Sequence, residues 1–172
     1  MRQLTPFVAS AATLMAAASV TVLGGGSGTA AADGTTAAGN SSVVPLSSIL
    51  RGCDWQIKPW VPSQTTGTGF AVVGRAGNTV TADVHMSSII PDIWYGVRLV
   101  EVPRPGIGCG AGGPGVGFGQ LYTDDAGNGS VVVQAPVMQG ATGAWVSVEG
   151  PLGYSAKQLA GDFRTSDFVA SI

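Results

Sequence analysis

The chain has 172 residues, with eight basic and ten acidic side chains, a net charge of −2, one histidine and two cysteines. Charges this sparse, with no basic run, exclude a nucleic-acid surface and a polybasic membrane patch. The 27 glycines and ten prolines point to a fold with many turns.

The first 32 residues predict a secretory signal peptide. Arg2 supplies the positive start, residues 7–23 (FVASAATLMAAASVTVL) form an uncharged run, and Ala30-Ala31-Ala32 offers small residues for cleavage before Asp33. The competing reading is a membrane anchor, but the run is short and rich in Ala, Ser and Thr. The absence of a cysteine at the cleavage point argues against a lipoprotein anchor too, so no stable membrane anchor is expected after cleavage. The mature chain of about 140 residues is one domain's worth, with a net charge of about −3 once Arg2 is removed. Export to an oxidising compartment makes a Cys53–Cys109 disulfide the default. A reactive thiol would need a basic or helix-N-terminal neighbourhood, which the flanking residues do not supply.

Residues 33–48 (DGTTAAGNSSVVPLSS) lack periodicity and read as a flexible tether, leaving 49–172 as the domain. Residues 53–61 (CDWQIKPWV) alternate, with Cys53, Trp55, Ile57 and Val61 on one face and Asp54, Gln56, Lys58 and Trp60 on the other. Pro59 makes this an edge strand or a bend. Residues 68–74 and 79–86 predict a hairpin across Arg75-Ala76-Gly77-Asn78, with Val80, Ala82, Val84 and Met86 inward and Thr81, Asp83 and His85 outward. In 94–102 the apolar phase slips between Leu99 and Val100, which suggests a β-bulge.

The glycine-rich 106–119 stretch carries Cys109, whose disulfide would tie this loop down. It is no phosphate loop, because GxxxxGK[ST] is absent. Residues 117–149 read as a β-meander, with Val131, Val133 and Ala135 sharing one face, and Ala144, Val146 and Val148 alternating with Trp145, Ser147 and Glu149. A short helical turn is expected at 156–160 and a last strand over 163–172. Seven to eight strands without helical periodicity predict an all-β fold: an immunoglobulin-like two-sheet antiparallel β-sandwich. The resemblance is architectural only, since the Trp positions follow Cys53 too closely for true immunoglobulin spacing.

Chemistry is thinly represented. Any histidine mechanism must pass through His85, with Asp83 on the same face and Asp92 nearby. The mature chain has no GxSxG nucleophile motif, and one His with one Asp falls short of a metal set. The turn Asp124-Asp125-Ala126-Gly127-Asn128-Gly129 raises calcium, yet its third position is Ala126 and its twelfth Ala135, where an EF-hand loop needs oxygen ligands. Scattered acids give no pattern of paired carboxylates for glycoside hydrolysis. No catalytic residue, metal or cofactor is therefore expected. The ligand-binding candidates are aromatic. Trp60 and Trp145 fall on polar faces by parity, and Trp94-Tyr95 opens a strand. Such side chains stack sugar rings or anchor protein partners, whereas a one-residue error of phase would return them to the core.

The exported leader, GQLYTDDAGNGSVVV, PVMQGATGAWVSVEGP and the terminal FRTSDFVASI resemble small secreted proteins of mycobacteria and related actinobacteria. That resemblance implies an exported β-sandwich with no assigned activity and transfers no catalytic residue. The expectation is a secreted, non-enzymatic protein acting by binding, or structurally, in the cell envelope or extracellular space. Its partner would be an unknown protein or an envelope glycan. The alternative is a carbohydrate-binding module using surface tryptophans, and a hydrolase comes third.

Overall fold

The computed structural model describes residues 40–58, 66–151 and 162–172. The chain divides into Met1–Gly34 and Thr35–Ile172, and every described residue belongs to the second unit. The expected leader, Trp60 and the helical turn at 156–160 lie outside the described residues. Among the described residues nine strands follow in order: β1 (Ser41–Ser47), β2 (Thr68–Ala76), β3 (Thr79–Ser87), β4 (Trp94–Val102), β5 (Val116–Tyr122), β6 (Gly129–Pro136), β7 (Gly143–Gly150), β8 (Asp162–Ser166) and β9 (Ala170–Ser171). Among the described residues there is no helix, hence none long and apolar enough to cross a membrane.

All the pairings are antiparallel. The sheet runs β5-β4-β7-β8-β1-β2-β3-β6, with β9 also on β7. Its two end strands, β5 and β6, are consecutive in the chain and pack on each other. A Cβ on Gly117 would lie 2.6 Å from the Gln134 carbonyl oxygen, and one on Gly119 would lie 2.9 Å from Val133 Cγ2. The sheet therefore curls into a nearly closed barrel, and glycine at these two sites is what lets β6 come so near. The expected meander over 117–149 is corrected: β5 pairs with β4, β6 with β3, and β7 with β4 and β8. Period-two patterning identifies a strand but carries no information about its neighbour.

The core lies where alternation placed it. Val80, Ala82 and Val84 of β3 have no exposed surface, and Val97 and Leu99 meet Val146 and Val148 in the same cluster. Each of these valine and leucine side chains contributes roughly 1.5–3 kcal/mol on burial. The β2–β3 hairpin closes through Gly77-Asn78, with Gly77 at φ 57°, a conformation glycine adopts at no steric cost.

Four local expectations are revised. The tether contains β1: Val44 and Leu46 point into the core, and Pro45, which has no N–H to place, accepts from Asp167 N at 2.9 Å. Of the expected 53–61 strand, the described residues 53–58 form instead a tight reversal. Arg51 bridges to Ile57, and Trp55 sits at φ 72° with its N–H donating to Gly52 O at 3.0 Å. There is no bulge in β4, whose register to β5 and β7 is unbroken from Gly96 to Val100. Around Val100 both faces of the strand are covered, so Val100 is buried without any slip. The last strand is split into β8 and β9 where Asp167 turns its N–H to β1.

Candidate ligand-binding face

The register of β4 with β5 puts Trp94 opposite Tyr122, Gly96 opposite Gln120 and Arg98 opposite Phe118. The partners of odd number, Val97, Leu99 and Leu121, are buried in the core, so these six residues share the outward face. The aromatic members stay open: Trp94 is 51% exposed, Tyr122 47% and Phe118 44%. The Trp94 and Tyr122 rings lie 5.1 Å apart, inclined at 53°, and the Tyr122 hydroxyl donates to Asp92 Oδ1 at 3.4 Å. Gln120 is exposed between the aromatics. Arg98 forms an ion pair with Glu149 on the neighbouring β7, and Ser147 Oγ donates to the same carboxylate at 2.6 Å.

Farther along, the same outward face is roofed over. Val100, Val116 and Trp145 make a second, smaller core with Cys109, Cys53, Trp55 and Val102. The Cys53–Cys109 disulfide, Cα atoms 5.5 Å apart, holds the two covering loops together. Trp55 meets Trp145 edge-on at 5.5 Å, and the Arg51 guanidinium lies 3.6 Å above the Trp55 ring. Burial draws the Arg51 pKa below its ordinary value, with Asp167 acting in the opposite sense. Trp145 is therefore 1% exposed and cannot present a ring to a ligand. Its side chain does lie on the outward face, opposite Ala144 and Val146 in the main core; the cover comes from loops distant in sequence. Its indole N–H has no acceptor among the described residues.

Tyr95 is also corrected from a surface candidate to an interior one, at 1% exposure. Its hydroxyl donates to Asp162 Oδ2 at 2.8 Å and accepts from Ile90 N at 3.2 Å. Asp162 in turn accepts from Arg164 Nη1 at 2.8 Å, and the Arg164 guanidinium also donates to the Gly67 carbonyl. Burial, reinforced by the Asp162 carboxylate, raises the Tyr95 pKa far above the usual phenol range. This buried pair in β8 lay outside every sequence expectation, because Asp-Phe-Arg is unremarkable until folded.

His85 lies on the outer face of the β1-β2-β3-β6 half, where register aligns it with Phe70 and Ser130. Its ring stacks on Phe70 at 4.9 Å and 17°, and Nε2 is 3.0 Å from Asp83 Oδ1. Val43 and Val132 are exposed on this face. In the acidic turn, Asp124 Oδ1 accepts from Ala126 N at 3.0 Å and Asn128 N at 2.7 Å. These bonds hold the carboxyl below its ordinary pKa. The carboxylate thus organises its own turn, and among the described residues no three His, Cys, Asp or Glu side chains gather as a metal set.

Of the four aromatic candidates, then, Trp94 is exposed, Tyr95 and Trp145 are buried, and Trp60 lies outside the described residues. The partners that complete the face, Tyr122 and Phe118, were missed. Their parity against Leu121 in GFGQLY was the available signal, but alternation could not place β5 beside Trp94. No protein-family model, curated protein or solved structure matches this chain.

Proposed function

We propose that this is a secreted, non-enzymatic binding protein of the cell envelope or extracellular space, and that the outer face of β4 and β5 is its ligand face. The observation that carries this reading is the open group of Trp94, Tyr122 and Phe118 on the paired strands β4 and β5. Burying exposed aromatics is a main source of binding energy at recognition sites. The disulfide is compatible with export, as is the lack of a membrane-crossing helix among the described residues. The resemblance to small exported actinobacterial proteins fits the same reading.

Support for binding rather than catalysis comes from how the ionisable groups are used. His85 is stacked and faces Asp83, Glu149 is taken by Arg98, and Asp124 holds its own turn. The immunoglobulin-like two-sheet sandwich belongs to this proposal as well. Among the described residues β1 and β8 meet through two register pairs, Leu46↔Ser166 and Ser47↔Thr165. So short a seam favours a barrel pinched into β5-β4-β7-β8 against β1-β2-β3-β6.

The test is retention of the purified full chain on washed envelope material from the producing cells. Trp94→Ala with Phe118→Ala is expected to abolish retention, while Phe70→Ala with His85→Ala on the opposite face leaves it unchanged. Retention that ignores the first pair of substitutions would overturn the assignment of this face.

A further inference from the structure

Resting on that reading of the β4–β5 face, we infer that its ligand is a neutral oligosaccharide laid along β5. The length of the face comes first. Tyr122 and Phe118 are four residues apart on one strand, about 13 Å at the usual strand rise. That separation is longer than one sugar ring and suits a short chain seated at both ends. At one end, Trp94 and Tyr122 meet at 53°. They form an angled seat in which one ring lies flat against a pyranose while the other braces its edge. Tyr122 is steadied there through its hydroxyl on Asp92. Between the two ends, Gln120 offers both an amide donor and a carbonyl acceptor, the pairing that sugar hydroxyls satisfy.

Charge and area select among ligands. Among the described residues of this face Arg98 is the cation, and Glu149 already neutralises it. An acidic glycan would find no uncompensated positive charge here, whereas hydroxyls can bond to the outer atoms of the Arg98–Glu149 pair. Two strands, each about 5 Å wide, and a length of about 13 Å give a strip of about 130 Å². A standard protein interface buries roughly 800 Å² per partner. The strip is too narrow for that and wide enough for a single glycan chain.

The experiment titrates the full chain with neutral hexasaccharides and disaccharides of glucose, mannose and galactose, and with hexagalacturonate as the acidic control. Calorimetry and tryptophan quenching are the readouts. At least one neutral series is expected to bind, and Trp94→Ala to weaken it about tenfold or more, the loss of one stacking contact. Phe118→Ala should weaken the hexasaccharide but leave the disaccharide unchanged, because only the longer chain reaches both seats. Both substituted side chains are exposed, and an unchanged melting temperature confirms an intact fold; Phe70→Ala serves as a control on the opposite face.

Binding of hexagalacturonate alone, binding indifferent to Trp94, or no binding by any neutral oligomer would each overturn the glycan assignment. The two readings also fail separately. Envelope retention that needs Trp94 but survives periodate oxidation of the envelope sugars removes the glycan and keeps the face. Retention independent of Trp94 removes both.

Discussion

Replacing both cysteines, Cys53→Ser with Cys109→Ser, tests the energetic role of the roof over β4 and β7. The crosslink closes a loop of 56 residues, for which chain entropy in the unfolded state gives about 4 kcal/mol of stabilisation. Against a total of about 5–15 kcal/mol for an ordinary domain, that is a large share. At roughly 3–4 °C per kcal/mol for this chain length, the melting temperature should fall by about 12–16 °C. Urea unfolding followed in parallel by far-ultraviolet circular dichroism and tryptophan emission measures both the size and the order of the loss. Trp145 and the main core belong to separate clusters. In the double variant, emission is therefore expected to shift to the red at lower urea than the loss of strand signal, as the covering loops lift first. A total loss under about 1 kcal/mol would refute the argument, since the crosslink would then restrain little in the unfolded chain. Coincident transitions would refute the separate roof.

Two further outcomes follow from the geometry and one from the leader sequence. Tyr95→Phe leaves Ile90 N without its acceptor and removes the 2.8 Å donor to Asp162, a loss of about 1–3 kcal/mol by denaturant titration at neutral pH. Because folding raises the Tyr95 pKa, its contribution is complete below about pH 10, the unfolded value. It is lost as pH rises beyond that, so Tyr95→Phe should show a flatter alkaline decline in melting temperature. Gly117→Ala places a methyl 2.6 Å from the Gln134 carbonyl oxygen and should cost about 1–3 kcal/mol through forced separation of β5 from β6; an unchanged stability would mean the two strands part freely. Protein recovered from culture medium should begin at or near Asp33 by Edman sequencing, and a chain beginning at Met1 would defeat the export reading.

The residues that were legible in the sequence share one property. In β3, β6 and β7 the choice between core and outward face is made within a few residues of chain, by period-two alternation. Val80, Ala82, Val84 and Met86 are buried accordingly. The disulfide was legible as well, because two cysteines leave one intramolecular pairing. β1 was not, since Val44 and Leu46 are its only inward apolar residues and Pro45 interrupts them. The reversal at 50–58 was hidden because its residues alternate as a strand would, while Trp55 takes a left-handed conformation.

What the sequence determined by itself was the all-β class, the inward faces of its clearest strands and the pairing of Cys53 with Cys109. Tertiary structure decided which outward faces stay outward. Trp145 and Trp94 both lie on the outward face of the β4–β7–β5 region, but the disulfide-linked loops cover Trp145 and leave Trp94 open beside Tyr122. Alternation is a property of adjacent residues, whereas strand neighbours and loop cover are set by contacts across the whole chain. A ligand face depends on the second kind of contact, and so became visible only once the strands were paired.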